Sequence, residues 1–79
     1  MIREDERAVL NIDLPELGLV RGDLGTVVMV HRGGEAYEVE FRTLDGRTID
    51  VVTLEGSQVR PVSHDEVAHV RPVVSLGTS

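Results

Sequence analysis

The chain has 79 residues, enough for one small domain, and its 41% hydrophobic content is typical of a globular fold rather than a disordered segment. Fourteen acidic residues outnumber eight arginines, which gives a net charge of −6. This charge argues against nucleic-acid binding unless the arginines cluster, because nonspecific affinity for nucleic acid comes from cationic side chains that displace counterions. Cysteine is absent, which excludes disulfides, thiolate metal sites and cysteine nucleophiles.

The N-terminal residues have neither the apolar run nor the cleavage site of a signal peptide, and no stretch is long and apolar enough to cross a bilayer. We therefore expect a cytoplasmic protein that makes no membrane contact. The first predicted element is a strand at residues 8–14, where apolar and polar residues alternate with a period of two. A long irregular loop at residues 15–25 follows it, since a proline and three glycines prevent a regular helix.

The tripeptide Arg21-Gly22-Asp23 lies in this loop. Adhesion receptors bind the same tripeptide in exposed loops of some extracellular proteins, but here it directly precedes a predicted strand. We predict a structural turn, in which Asp23 accepts hydrogen bonds from backbone amides. Gly22 and Gly25 are expected to supply the unusual backbone dihedral angles of that turn.

Four more strands are predicted, at residues 26–31, 36–41, 48–54 and 59–62. The run 26–31 has little alternation, which indicates a central strand with both faces partly covered. The three apolar residues that alternate with glutamate in 36–41 should point into the core. Asp45-Gly46 predicts a type I′ hairpin turn, and Pro61, which has no amide hydrogen, favours an edge position for the last strand.

This order of elements predicts an all-β fold. We expect a small five-stranded antiparallel SH3-like barrel at residues 1–62, with a split sandwich as the alternative, followed by a C-terminal extension at residues 63–79. Small barrels carry many unrelated functions, so the fold alone does not assign one.

Four motifs, DLPELGLVRGDLGTVV, AYEVEF, DGRTIDVVTL and QVRPV, occur in this order between residues 8 and 62. Together they resemble a family of small uncharacterised bacterial proteins that is classed as a domain of unknown function. The resemblance implies a compact SH3-like β-barrel, brings no catalytic residues, and does not extend past Val62. The step from Gly22 to Val27 also resembles the turn-to-strand element of KOW-type barrels in ribosomal and transcription proteins, which is a weak motif because many turns need such glycines.

Residues 63–69, SHDEVAH, offer four potential metal ligands, but their spacing argues against a metal site. His64 and His69 are five residues apart, about 140° around a helix, whereas a zincin helix places its two histidines four apart. Ser63 and Glu66 instead fit a capping box that starts a single helical turn. The serines have no evident base, and no glycine-rich loop precedes a helix, so we predict no catalytic residue, metal or cofactor.

The segment QVRPVS at residues 58–63 recurs as HVRPVV at 69–74. The second copy is too apolar for a free tail, because an exposed apolar side chain forfeits roughly 1.5 kcal/mol or more relative to a buried one. We predict that residues 69–76 pair along a sheet edge of the same chain or of a second protomer. The candidate interface residues are Val70, Pro72, Val74 and Leu76.

These observations favour a nonenzymatic protein-binding or self-assembly module that acts through this tail and through an exposed acidic face. Strand exchange of the tail between two protomers would make a homodimer. A sharper form is an antitoxin-like or immunity-like protein that masks a basic surface of its partner. The alternative is a KOW-like nucleic-acid-binding barrel, which requires four arginines on one face: Arg21, Arg32, Arg47 and Arg60. An enzyme ranks third, since no arrangement of acid, base and nucleophile is visible.

Overall fold

A computed structural model describes residues 1–73. The strands are β1 (Arg7–Leu10), β2 (Leu24–His31), β3 (Ala36–Arg42), β4 (Thr48–Glu55) and β5 (Val59–Pro61). Two short 3₁₀ turns complete the elements, one at Pro15–Leu17 in the long first loop and one at Gly56–Gln58 between β4 and β5. No α-helix occurs in residues 1–73, and so none there could span a membrane.

The strands form one antiparallel sheet in the order β4-β3-β2-β1-β5. β2 is therefore central, as predicted, and β5 returns to pair with β1 at an edge, where Pro61 lies opposite Ala8. The predicted all-β class with five antiparallel strands is confirmed. Within the described residues, no ladder joins the two outer strands, β4 and β5, so strand pairing does not close the sheet into a barrel.

The core lies on one face of the sheet and centres on β3. Tyr37, Val39 and Phe41 are buried, whereas Glu38 and Glu40 on the opposite face are partly exposed, as the alternation predicts. Full burial of an apolar side chain stabilises the fold by about 1.5 to 3 kcal/mol. The other buried side chains of this cluster come from every remaining strand, the N-terminus and the long loop: Ile2, Ala8, Leu10, Leu19, Val27, Leu54 and Val59.

The first strand is shorter than predicted, because β1 ends at Leu10 rather than at residue 14. The Asn11 N–H donates to the Gln58 carbonyl at 2.8 Å, and the chain then turns into the long loop. Ile12 and Leu14 nevertheless pack against the core. The period of two in this stretch therefore predicts which side chains pack in or against the core cluster, although Val9 is buried too and a strand covers only the first half of the stretch.

Two predicted turn geometries are wrong. Asp45-Gly46 does not form a type I′ turn, since only Gly46 has a positive φ, of 91°, and the hydrogen bond from Thr43 N–H to the Arg47 carbonyl encloses a three-residue loop. Gly25 does not have a positive φ either. It lies in β2 where a Cβ atom would be 2.5 Å from Val39 Cγ1, so this position needs glycine for lack of space.

The outer strand β4 has side-chain acceptors along its open edge. The Val51 N–H donates to Asp50 Oδ1 at 2.8 Å, and the Glu55 N–H donates to Gln58 Oε1 at 2.7 Å. Two amide donors that face away from β3 are therefore already hydrogen-bonded within the chain.

We predict that Gly25→Ala lowers the free energy of unfolding by about 1 to 3 kcal/mol, because the added methyl group overpacks the contact between β2 and β3. The matched control is Gly33→Asn. Gly33 has a φ of 67° with nothing within 4 Å of its Cβ direction, and asparagine tolerates that conformation, so the control should lose less than about 1 kcal/mol. Urea denaturation of both variants measures the difference, and equal losses would contradict the steric explanation.

Candidate interaction surfaces

The Arg-Gly-Asp tripeptide forms a tight turn that joins the long loop to β2. Asp23 Oδ2 accepts a hydrogen bond from the Val20 N–H at 2.9 Å, and the Asp23 N–H donates to the Val20 carbonyl at 3.0 Å. Gly22 has a φ of 97°, which favours glycine. The Asp23 carbonyl accepts from the Leu10 N–H at 2.9 Å, which ties the turn to the end of β1.

The same carboxylate binds Arg71, which lies 48 residues further along the chain. Arg71 Nε donates to Asp23 Oδ1 at 2.9 Å and Nη2 donates to Asp23 Oδ2 in a short ion pair. Nη2 also donates to the Gly18 carbonyl at 3.1 Å. Asp23 is only 16% exposed, so this bidentate pair is partly shielded from water, and its hydrogen bonds raise the pKa of Arg71 above its usual range. We call this three-acceptor contact the latch.

Arg71 is not among the site residues predicted from the sequence, although the repeated VRPV motif contains it. In both copies, the arginine Nη1 donates to the carbonyl of the following proline at 3.1 Å, in Arg60 to Pro61 and in Arg71 to Pro72. Each arginine also holds a carboxylate with two nitrogens, since Arg60 binds Glu66 at 2.9 and 2.6 Å. The repeat is therefore a local structure that presents a guanidinium group to an acidic side chain.

Residues 63–66 make a single turn, and no helix follows it in residues 67–73. The Ser63 N–H donates to Glu66 Oε1 at 2.7 Å, which is one half of the predicted capping box. The Glu66 N–H closes the turn on the Ser63 carbonyl at 3.3 Å. His64 and His69 are both exposed, and no three histidine, aspartate or glutamate side chains within residues 1–73 come together as a metal site.

The predicted edge strand over residues 69–76 does not form in the part that the structure describes. Residues 62–73 contain no strand, Val70 is 71% exposed and Pro72 is exposed. Val74 and Leu76 lie outside the described residues. The physical reason is that this segment is attached by a guanidinium group rather than by a backbone ladder, in which Pro72 could not donate.

The face of β2, β3 and β4 opposite the core is partly apolar. A register shift in β2 between Val27 and Met29 leaves Val28 and Met29 both exposed, at 42% and 47%. Met29 lies opposite Glu38, and Val51, at 45% exposure, lies opposite Glu40. We define the outer face as the six residues of these two cross-strand rows: Thr26, Met29, Glu38, Glu40, Val51 and Thr53.

Both glutamates of the outer face have hydrogen-bonding neighbours. His31 Nε2 lies 2.9 Å from Glu38 Oε2, and Thr48 Oγ1 donates to Glu40 Oε2 at 2.8 Å. An open groove of about 280 Å³ adjoins this face, between the loop at residues 43–46 and the strands β1 to β3. It is shallow and lined by both arginine and leucine side chains, unlike the enclosed apolar cavities that bind small molecules.

Comparison with known proteins gives a family assignment. Residues 4–61 match the model of a domain of unknown function, DUF4926, which spans the whole sheet. The chain belongs to the DUF4926 family. No curated protein and no solved structure matches it. The family domain ends at Pro61, so Glu66 and Arg71 lie beyond it, whereas Asp23 lies within it.

We predict that Asp23→Ala lowers the free energy of unfolding by about 1 to 2 kcal/mol, because it removes the acceptor for the Val20 N–H together with the latch. Arg71→Ala removes only the latch and should lose less than about 1 kcal/mol, as partly exposed ion pairs typically do. Thermal and urea unfolding measure both. An Arg71→Ala loss that equals or exceeds the Asp23→Ala loss would contradict the double role of Asp23.

We predict that Glu66 titrates far below an ordinary glutamate. The Arg60 guanidinium and then the Ser63 amide lower the pKa of Glu66 from 4.5 to about 2. Because the folded pKa is depressed, the turn at residues 63–66 keeps its stabilisation above pH 4.5 and loses it as the pH falls towards 2. Carboxyl NMR titration measures this pKa. Arg60→Ala should return it towards 4.5, whereas the matched variant Arg71→Ala should leave it low.

Proposed function

We propose that this protein is a nonenzymatic protein-binding module that docks onto a partner through its outer face. The observation that carries the proposal is the exposure of Met29 and Val51 beside two glutamates on one face of the sheet. Isolated exposed apolar residues are ordinary, but these belong to adjacent cross-strand rows with Val28 close by. Protein interfaces combine an apolar centre with polar groups in this way.

The charge of the surface indicates the chemistry of the partner. Glu38 and Glu40 lie on the central strand of the outer face, in a chain of net charge −6. A surface with arginine or lysine around an apolar centre would complement it, and attraction between opposite charges would speed the encounter. A sharper form of the proposal is an antitoxin-like or immunity-like protein that masks a basic surface. Self-assembly through this face is the alternative within the same class. Bacterial origin and a cytoplasmic location stay predictions.

The positions of the arginines give little support to the nucleic-acid alternative. Arg32 precedes β3 and Arg47 follows it, so roughly 20 Å of strand separates them at about 3.4 Å per residue. Arg60 is held by Glu66. Arg32 and Arg47 lie beyond opposite ends of β3, so they do not form the concentrated cationic patch that phosphate binding needs.

We predict that polar substitution of the outer face abolishes partner binding without unfolding the domain. The variant is Met29→Ser with Val51→Ser, and the matched control is Val67→Ser, which changes a 92% exposed side chain in the C-terminal segment. Affinity capture from the native organism, followed by isothermal titration with each captured protein, should find a basic partner that binds the wild type and the control. The double variant should bind it at least tenfold more weakly, since each contact that anchors an interface contributes more than about 1 kcal/mol.

Equal affinity of the double variant would show that the outer face is not the docking surface. Light scattering of the wild type distinguishes self-assembly, which predicts a dimer that the double variant loses. Binding to DNA or RNA at physiological salt should be no tighter than about 10⁻⁴ M. Micromolar binding with a steep salt dependence would instead favour the KOW-like alternative.

A further inference from the structure

The long loop builds the acceptor set of the latch without help from the C-terminal segment. The Leu14 N–H donates to the Leu19 carbonyl at 2.9 Å and the Leu19 N–H donates back at 3.2 Å, which closes the loop on itself. Gly18, with a φ of 71°, ends the 3₁₀ turn within this closed loop and directs its carbonyl to Arg71. The Val20 N–H already holds the Asp23 carboxylate in place. The acceptors are therefore preorganised for a guanidinium group.

The segment between β5 and Arg71 lies on the surface. Every residue from 62 to 70 is exposed, and the side-chain hydrogen bonds of this stretch join it to itself or to Arg60 rather than to the long loop. Arg71 is half-buried by contrast, and it donates to three acceptors of the loop. Arg71 therefore binds the loop as a ligand at the end of an exposed linker would bind its site.

We propose that residues 14–23 form a recognition site for an arginine side chain in an extended Arg-Pro segment, which Arg71 occupies within its own chain and which the same segment of a second copy occupies when Arg71 is displaced. The site shares no residue with the outer face, so this inference does not depend on the proposed docking surface. Arginine fits better than lysine, because its planar fork matches the carboxylate with two parallel hydrogen bonds while a third reaches the Gly18 carbonyl.

The closed latch sets the affinity to be expected between two chains. A short flexible linker holds its ligand at an effective concentration on the order of millimolar. Because the latch is closed, the dissociation constant for the same contact between separate molecules is about 1 mM or tighter. In the wild type, Arg71 of the same chain competes at that concentration, so exchange between copies is favoured only at high protein concentration.

The test uses the full chain with Arg71→Ala, labelled with ¹⁵N, and a peptide of residues 69–73, HVRPV. We expect saturable chemical-shift changes of the Val20 amide and a dissociation constant of about 1 mM or tighter. The peptide HVKPV should bind at least tenfold more weakly. Adding Asp23→Asn to the variant should weaken binding of HVRPV to a similar degree, and its amide oxygen can still accept from the Val20 N–H, so the turn is retained.

A second measurement uses the unmodified chain. Its Arg71 Nε–H signal reports the closed latch directly, and HVRPV should shift it towards that of a solvent-exposed arginine, at concentrations at least about twofold above those that saturate the variant. The absence of saturable shifts up to about 10 mM peptide in both chains would overturn the proposal, because binding between molecules would then be far weaker than a closed latch requires. Equal binding of HVKPV would overturn the assignment to arginine.

Discussion

Close packing of β2 against β3 determines what this small sheet buries and what it exposes. Gly25 leaves room for Val39 and Phe41 to fill the core, because any Cβ at that position would collide with them. Two residues later the register slips, and β2 carries Val28 and Met29 outward one after the other. A regular ladder would have placed only every second side chain on that face. The outward position of Met29 is therefore a consequence of the same bulge that keeps Val27 and Val30 against the core.

A second constraint comes from the long loop, which has to be held without regular secondary structure. Asp23 holds the loop through four hydrogen-bonding contacts. Its backbone pairs with Leu10 and Val20, and its carboxylate accepts from the Val20 N–H and from Arg71. The family domain ends before Arg71, so an extension outside that domain completes a contact within it. The Arg-Gly-Asp motif, which resembles an adhesion ligand, therefore holds the long loop in place through the hydrogen bonds of Asp23.

Local patterns predicted the strands well, because alternation in residues 36–41 and glycine at the turns act over a few neighbours. They failed where two distant parts of the chain meet. The contact between Asp23 and Arg71 spans 48 residues. The only sequence signal near either residue is the repeated VRPV motif, whose apolar residues suggested a buried strand instead of an ion pair. Gly25 was misassigned for the same reason, since its neighbours Val39 and Phe41 lie on another strand. The proposed docking surface was the least predictable, because it depends on the register of β2 rather than on a sequence motif.

The hydrogen bonds along the open edge of β4 have a consequence for the protein at high concentration. An outer strand rich in β-branched residues is a template for runaway sheet extension, the first step of amyloid-like aggregation. Asp50 and Gln58 occupy amide donors that an incoming strand would need, and the carboxylate adds charge at the point of contact. Edge-to-edge pairing through β4 is therefore disfavoured, even though the adjacent sheet face exposes Met29 and Val51.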